Sequence, residues 1–147
     1  MRVLLVDDET EFVTTLAERL SLRGFTVDFA TRATDALALV DQHPYDLAIL
    51  DMKMPVTSGL ELKALLTEKA PLLKFIFLTG HGSEKDRAEA LRLGAFAYLN
   101  KPVEMENLVK TLKDAYKKKL DQGMVAAAFA EEGEFGTAQE IMDEKKK

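Results

Sequence analysis

The chain has no cysteine in its 147 residues. That excludes a disulfide framework, a thiolate metal site and a cysteine nucleophile, and it suits the cytoplasm, where disulfides are rare. Histidine is scarce: His43 stands beside Pro44 and His81 lies in a glycine-flanked loop, which is too little to build a zinc cage. No apolar run approaches the ~18 to 20 residues that span a bilayer. The N-terminus also lacks the basic, apolar and small-residue succession of a signal peptide. The expectation is a soluble, cytoplasmic chain with no membrane partner. Basic excess is missing as well: the net charge is −5, most of it carried beyond Leu120. Neither part offers the basic face that nucleic acid requires, so no nucleic-acid partner is expected.

What is present suffices for a core. Apolar residues make up 47% and charged residues 31%, an ordinary globular balance, and the length suits one compact domain with an appendage. Short apolar runs recur at Arg2 to Val6, Thr26 to Ala30, Leu47 to Leu50, Lys74 to Leu78 and Ala97 to Leu99. Runs this short and continuous fit strands buried on both faces. Between them, Phe12, Leu16 and Leu20 repeat at helical spacing, as do Leu62 and Leu66, and Gly24, Pro44, Gly59, Pro71 and Gly94 punctuate the loops. Strand and helix alternate five times, which predicts an α/β fold: a doubly wound parallel sheet with helices on both faces.

The last helix of that unit, about Glu104 to Lys119, presents Leu108, Leu112 and Ala115 or Tyr116 on one face and ends in a lysine run. The domain is therefore expected over residues 1–120. Residues 121–147 read as a C-terminal helical extension, a short hairpin. Met124 to Ala130 forms helix well, Glu131 to Gly136 holds two glycines, and Thr137 with Glu140 makes a capping box for a final helix. The small and aromatic residues of AAAFAEEGEFGTAQEI resemble one tetratricopeptide unit, but one unit buries no face of its own. A helix pair packing on the domain or on a partner is the better reading. Its apolar Met124, Val125, Phe129, Phe135 and Ile141 predict docking that responds to the state of the domain.

The chain opens MRVLLVDDE, where an apolar run stops at Asp7, Asp8 and Glu9. In an open parallel sheet, ligands bind beyond the C-terminal ends of the strands, so the residue just past each strand carries the most information. The third, DLAIL, is followed by Asp51, the fourth, FIFL, by Thr79, and the fifth, AYLN, by Lys101 and Pro102. Any one of these alone is best read as a loop residue or helix cap; the set is not. Carboxylates sharing a crevice raise one another's pKa unless a cation offsets them, and hard oxygen ligands select Mg²⁺ or Mn²⁺. A carboxylate beside a divalent ion, a hydroxyl and a lysine can accept a phosphoryl group. On that reading Asp51 is the nucleophile, Asp7 and Asp8 hold the metal, Lys101 clamps the phosphoryl group and Thr79 hydrogen-bonds it.

The blocks LLVDDE, DLAILDMKMPVTSG, FIFLTGHGS and GAFAYLNKPVE, in this order and spacing over roughly Met1 to Leu120, resemble the receiver domain of two-component response regulators. The resemblance implies a flavodoxin-like fold with strand order 2-1-3-4-5. It also implies phosphorylation of Asp51 by a sensor histidine kinase or a histidine phosphotransfer protein. By the same carry-over, Asp8, Asp51 and the Lys53 backbone carbonyl ligate Mg²⁺, with Asp7 helping through water. Thr79 and Tyr98 match the family's switch pair, although Tyr98 by itself reads as a strand residue with an exposed hydroxyl. The Lys101-Pro102 bond is expected to be cis, and Lys53 and His81 occupy the positions that tune autodephosphorylation. TGHGS resembles receivers of the nitrogen-regulation class, and its glycines make a pliable loop. The implied output surface, roughly Lys85 to Lys119, comprises the fourth helix, fifth strand and fifth helix, and would bind a downstream protein effector or a second copy of the chain.

The leading expectation is a phosphorylatable signalling switch, not a metabolic enzyme, with no attached output domain because only a short tail succeeds the receiver. A phosphohydrolase using an aspartyl intermediate is a weaker reading, since the haloacid dehalogenase type needs a second Asp where Lys53 stands. A phosphorylation-independent adaptor, or pseudo-receiver, is the weakest, because Asp7, Asp8, Asp51, Thr79 and Lys101 are all intact.

Overall fold

The computed structural model describes residues 1–131, with side chains to Gln122. Ten elements alternate: β1 (Arg2–Val6), α1 (Thr10–Leu22), β2 (Thr26–Ala30), α2 (Ala33–Gln42), β3 (Leu47–Leu50), α3 (Gly59–Lys69), β4 (Lys74–Thr79), α4 (Glu84–Arg92), β5 (Ala97–Asn100) and α5 (Met105–Glu131). The strands pair in parallel in the order β2-β1-β3-β4-β5, as the resemblance implies.

Successive side chains of a strand point to opposite faces, so a strand that is apolar throughout must be covered twice. Leu4, Val6, Ala48, Leu50, Phe75 and Phe77 pack with Ala36, Leu62, Leu66 and Ala90 of α2, α3 and α4. Val3, Leu5, Leu47, Ile49, Ile76 and Leu78 pack with Val13, Leu16 and Leu20 of α1 and with Leu108, Leu112 and Ala115 of α5. Each fully buried aliphatic side chain contributes ~1.5 to 3 kcal/mol, so both faces of the sheet are firmly held and its edges can carry polar work.

Parallel pairing brings every strand's C-terminal end to one edge. Val6 is in register with Leu50 and Leu50 with Phe77, and the Asp51 N–H donates to the Val6 carbonyl at 3.1 Å. Asp7 and Asp51 are thus the first residues past the paired run. The loops after β3 and β4 are closed by helix starts with full capping boxes, Ser58 with Glu61 on α3 and Ser83 with Asp86 on α4. Gly59 opens α3 against the acceptor strand: its N–H donates to the Met52 carbonyl at 2.9 Å, and a Cβ there would overlap the Asp51 carbonyl oxygen. Gly59→Ala should therefore cost about 2 to 3 kcal/mol through forced backbone movement, read as a lowered urea midpoint.

Midway along the outer strand β2, Asp28 accepts hydrogen bonds from the Tyr45 hydroxyl at 2.6 Å and the Arg2 guanidinium at 2.9 Å. Burial pushes this carboxyl up, but the bonds from Tyr45 and Arg2 outweigh it and hold Asp28 below the usual range. A folded pKa below the unfolded one stabilises fully above the unfolded value, about 4, and the benefit is lost as pH falls through the folded value. Urea denaturation should show the wild-type chain losing stability below about pH 4 more steeply than Asp28→Asn. The difference should stay within ~1 kcal/mol because both partners are about a third exposed (31% and 30%).

One expectation about the helices needs correcting. α5 does not stop near Lys119 but runs unbroken to Glu131, so the first helix expected of the extension is continuous with it. The lysine run is compatible with helix, and the alanines at 126–128 favour it. The turn at Glu131 to Gly136 lies almost entirely, and the helix from Thr137 wholly, outside the described residues. Among the described residues no helix is long and apolar enough to cross a membrane.

Candidate functional site

One carboxylate oxygen from each of Asp7, Asp8 and Asp51 lies within 4.8 Å of the others. Two Mg–O bonds of ~2.1 Å reach ~4.2 Å across, so the cluster has the scale of one divalent ion. Asp7 and Asp51 are each 2% exposed, whereas Asp8 faces solvent. Asp51 Oδ1 is buried without a hydrogen-bond partner, which is costly for a carboxylate oxygen and is relieved by a cation. Burial pushes the Asp7 carboxyl above its ordinary range, with the charge of Asp51 adding to it and bonds from Lys101 and the Glu9 N–H opposing. An all-oxygen donor set with an unsatisfied buried member fits a hard divalent cation.

Lys101 reaches into this cluster from the loop after β5. Its Nζ donates to Asp7 Oδ2 and to Glu9 Oε1, both at 2.7 Å, and lies 4.2 Å from the Phe12 ring centroid. Burial alone would lower its pKa, but the bonds to Asp7 and Glu9 outweigh that and raise it, so the side chain is a permanent ammonium. The Lys101-Pro102 bond is cis, as the resemblance implies. Thr79 ends β4 fully buried; its Oγ1 accepts the His81 N–H at 3.2 Å, and its carbonyl accepts the Lys101 N–H at 3.0 Å.

The family model of the response regulator receiver domain matches residues 3–113. The chain belongs to this family. Receivers act as signalling switches in two-component systems. Among curated relatives, the transcriptional regulatory protein CpxR of Escherichia coli is 42% identical over 114 residues, 76% of this chain and 47% of CpxR. The probable transcriptional regulator ycf29 of Porphyra purpurea is 35% identical over 76% of this chain and 54% of its own length. The chain thus spans about half the length of these two regulators. Among solved structures, a CheY-like receiver from Methanospirillum hungatei superposes with a TM-score of 0.77 at 30% identity, covering 82% of this chain and 97% of that one. The response regulator TrrA of Thermotoga maritima, solved in complex with Mg²⁺-BeF, gives 0.69 at 32% identity, covering 78% and 97%.

Within this receiver, Asp7, Asp8, Asp51 and Lys101 converge, and Thr79 lies at the same sheet edge. The two residues expected to tune autodephosphorylation stand in the flanking loops. Lys53 is exposed and pairs with Asp86 of α4 at 3.6 Å, and His81 has an exposed side chain.

Tyr98 departs from the expectation of a surface hydroxyl. It is 5% exposed, its hydroxyl is buried without a partner, and its ring lies 6.4 Å from that of Phe77. The two residues are in register on β5 and β4 and turn to the same covered face. The hydroxyl fits only because residue 82 is glycine: a Cβ there would fall on the Tyr98 oxygen and 3.0 Å from Thr79 Cγ2. Gly82→Ala should therefore expel Tyr98. Nitration by tetranitromethane, mapped by mass spectrometry, should become at least about tenfold faster at Tyr98 than in the wild-type receiver, the ratio expected of a preference worth ~1.4 kcal/mol.

The sequence assigns no place in the site to Glu9, Phe12, Gly82 or Asp86. Glu9 is visible as the third acid of the opening run, and Phe12 belongs to the α1 repeat. Asp86 stands three residues after Ser83, the spacing of a capping box, but its pairing with Lys53 and the contact of Gly82 with Tyr98 carry no local signal.

Proposed function

We propose that this receiver takes a phosphoryl group onto Asp51 from a sensor histidine kinase or a histidine phosphotransfer protein, and that the phosphorylated state changes what its α4-β5-α5 surface binds. The observation that carries the reading is the unpartnered, buried Asp51 oxygen set within 4.8 Å of oxygens from Asp7 and Asp8. In the reaction an Asp51 carboxylate oxygen attacks phosphorus, the bond to the donor histidine breaks, and the imidazole leaves. Asp8, Asp51 and the Lys53 carbonyl would hold Mg²⁺ or Mn²⁺, with Asp7 assisting. The ion would neutralise charge on the transferring oxygens.

The other roles belong to the chain's own side chains. Lys101, kept charged by its carboxylate neighbours, offers an ammonium to the phosphoryl oxygens. Thr79 can turn its hydroxyl to them once it gives up the His81 N–H, and Tyr98 behind it completes the switch. Lys53 and His81 flank the approach of water and set the rate of autodephosphorylation. Phosphorylation adds about −1.5 to −2 charges, and α4 is poorly placed to resist movement: Ala90 is its sole buried residue, and Arg87 ties it to the Tyr98 carbonyl at 3.3 Å.

The output of this unit, residues 1–120, is binding to a downstream protein effector or to a second copy, in the cytoplasm where the kinase's phosphorylated histidine is presented. α5 continues past residue 120 to Glu131, and the segment 121–147 is proposed to take part in that binding. The two curated relatives above are named as transcriptional regulators, but this chain, with a net charge of −5, has no overall basic excess for nucleic acid. Trapping with borohydride after acetyl phosphate and Mg²⁺ treatment tests the acceptor assignment. Residue 51 should be recovered as homoserine, and reduction at any other carboxylate instead would overturn it.

A further inference from the structure

Lys101 stands in the site with its charge shared between two carboxylates and an aromatic ring. Its ammonium carries three N–H groups; two go to Asp7 and Glu9, each at 2.7 Å, and the charge sits over the Phe12 ring at 4.2 Å. To move onto an arriving phosphoryl oxygen it must loosen its hold on one of these two carboxylates.

The two carboxylates are unequal in what that release costs. The Asp7 side chain is 3% exposed and also accepts the Glu9 N–H at 2.9 Å. Taking the ammonium from it would leave a buried charge short of a partner, which is expensive. The Glu9 side chain is 57% exposed, so water replaces the ammonium there at little cost. The aromatic contact asks for no movement, because Phe12 anchors the amine from the α1 side whichever oxygen it faces.

We propose that Glu9 is the resting holder of Lys101: it keeps the ammonium at the rim of the site and yields it to the phosphoryl group. Glu9 is then a positioning residue, acting through Lys101, and its grip sets how readily the site accepts an anionic group. This rests on the acceptor reading of Asp51 and adds to it a competition that the acidic pair, acceptor, hydroxyl and lysine do not contain.

The test is a cycle of four full-length proteins, wild type, E9Q, K101A and E9Q/K101A, phosphorylated by acetyl phosphate with Mg²⁺. E9Q should raise the phosphorylation rate roughly 2- to 5-fold, the scale of one exposed ion pair released, and should leave the rate unchanged on the K101A background. An equal gain on both backgrounds would mean that Glu9 merely repels the donor through space, and no gain in E9Q would mean that it does not hold Lys101; either overturns the proposal. A second readout needs no phosphodonor: hydrogen exchange of the Lys101 ammonium, followed by ¹⁵N NMR, should be several-fold faster in E9Q. Unchanged exchange counts against the pairing even if the wild-type protein takes up no phosphoryl group, an outcome that would sink the acceptor reading separately.

Discussion

Asp51→Asn is expected to take up no phosphoryl group from acetyl phosphate and Mg²⁺. The expected loss is at least ~10⁴-fold in rate, the scale seen when an enzyme's nucleophile is removed, with circular dichroism and urea midpoint preserved. The amide has the shape of the carboxylate, and the site is 2% exposed, so the packing around it stays. An amide oxygen is a poor nucleophile, and the substitution removes one of three close charges from the cation's donor set. Neighbouring carboxylates do not take over. Asp7 is committed to Lys101 and to the Glu9 N–H, and Asp8 lies toward solvent, off the end of the central strand. Peptide mapping of the variant should find no phosphoryl group on either.

The second large effect is expected at Asp8. It is the one exposed member of the carboxylate cluster, so Asp8→Asn touches no core contact while removing a full ligand charge. Loss of an outer-shell partner of a metal ligand typically costs 10- to 100-fold in affinity, and losing a ligand charge should cost at least about 100-fold in Mg²⁺ affinity by the same scale. Phosphorylation should vanish at Mg²⁺ concentrations that saturate the wild type and return in part at much higher ones. The thermal midpoint without metal should hold or rise, because carboxylates crowded without a cation repel one another. Calorimetric Mg²⁺ titration beside thermal melts checks both halves.

The fold was legible where burial is complete. β1, β2 and β3 fall on the expected residues, and the continuous apolar runs of β1 and β3 have no other way to sit in a domain this size. β4 and β5 run one residue further, to Thr79 and Asn100, because a polar side chain at the sheet edge still leaves its backbone free to pair. The end of α5 was misjudged since a lysine run looks like a C-terminus whether or not the backbone goes on, and only the backbone bonds decide it. Tyr98 was misplaced for a related reason: alternation along a strand says that two faces exist, not which one a loop such as Gly80–Ser83 will cover. The carboxylates, hydroxyl and lysine were legible from their places at the strand ends, since parallel pairing sends all those positions to one edge. The partners of Lys101 were not, since Asp7 is 94 positions away in sequence and only the closed fold sets the amine between it and Glu9.

Three carboxylates, a buried threonine and a lysine are proposed to form a metal-dependent phosphoryl acceptor. Intact-protein mass spectrometry after incubation with acetyl phosphate, with Mg²⁺ and with a chelator in its place, measures it most directly. A metal-dependent acceptor at Asp51 should gain one phosphoryl mass with Mg²⁺, none with chelator and none in Asp51→Asn. No gain with Mg²⁺, or the same gain with chelator or in Asp51→Asn, would contradict it.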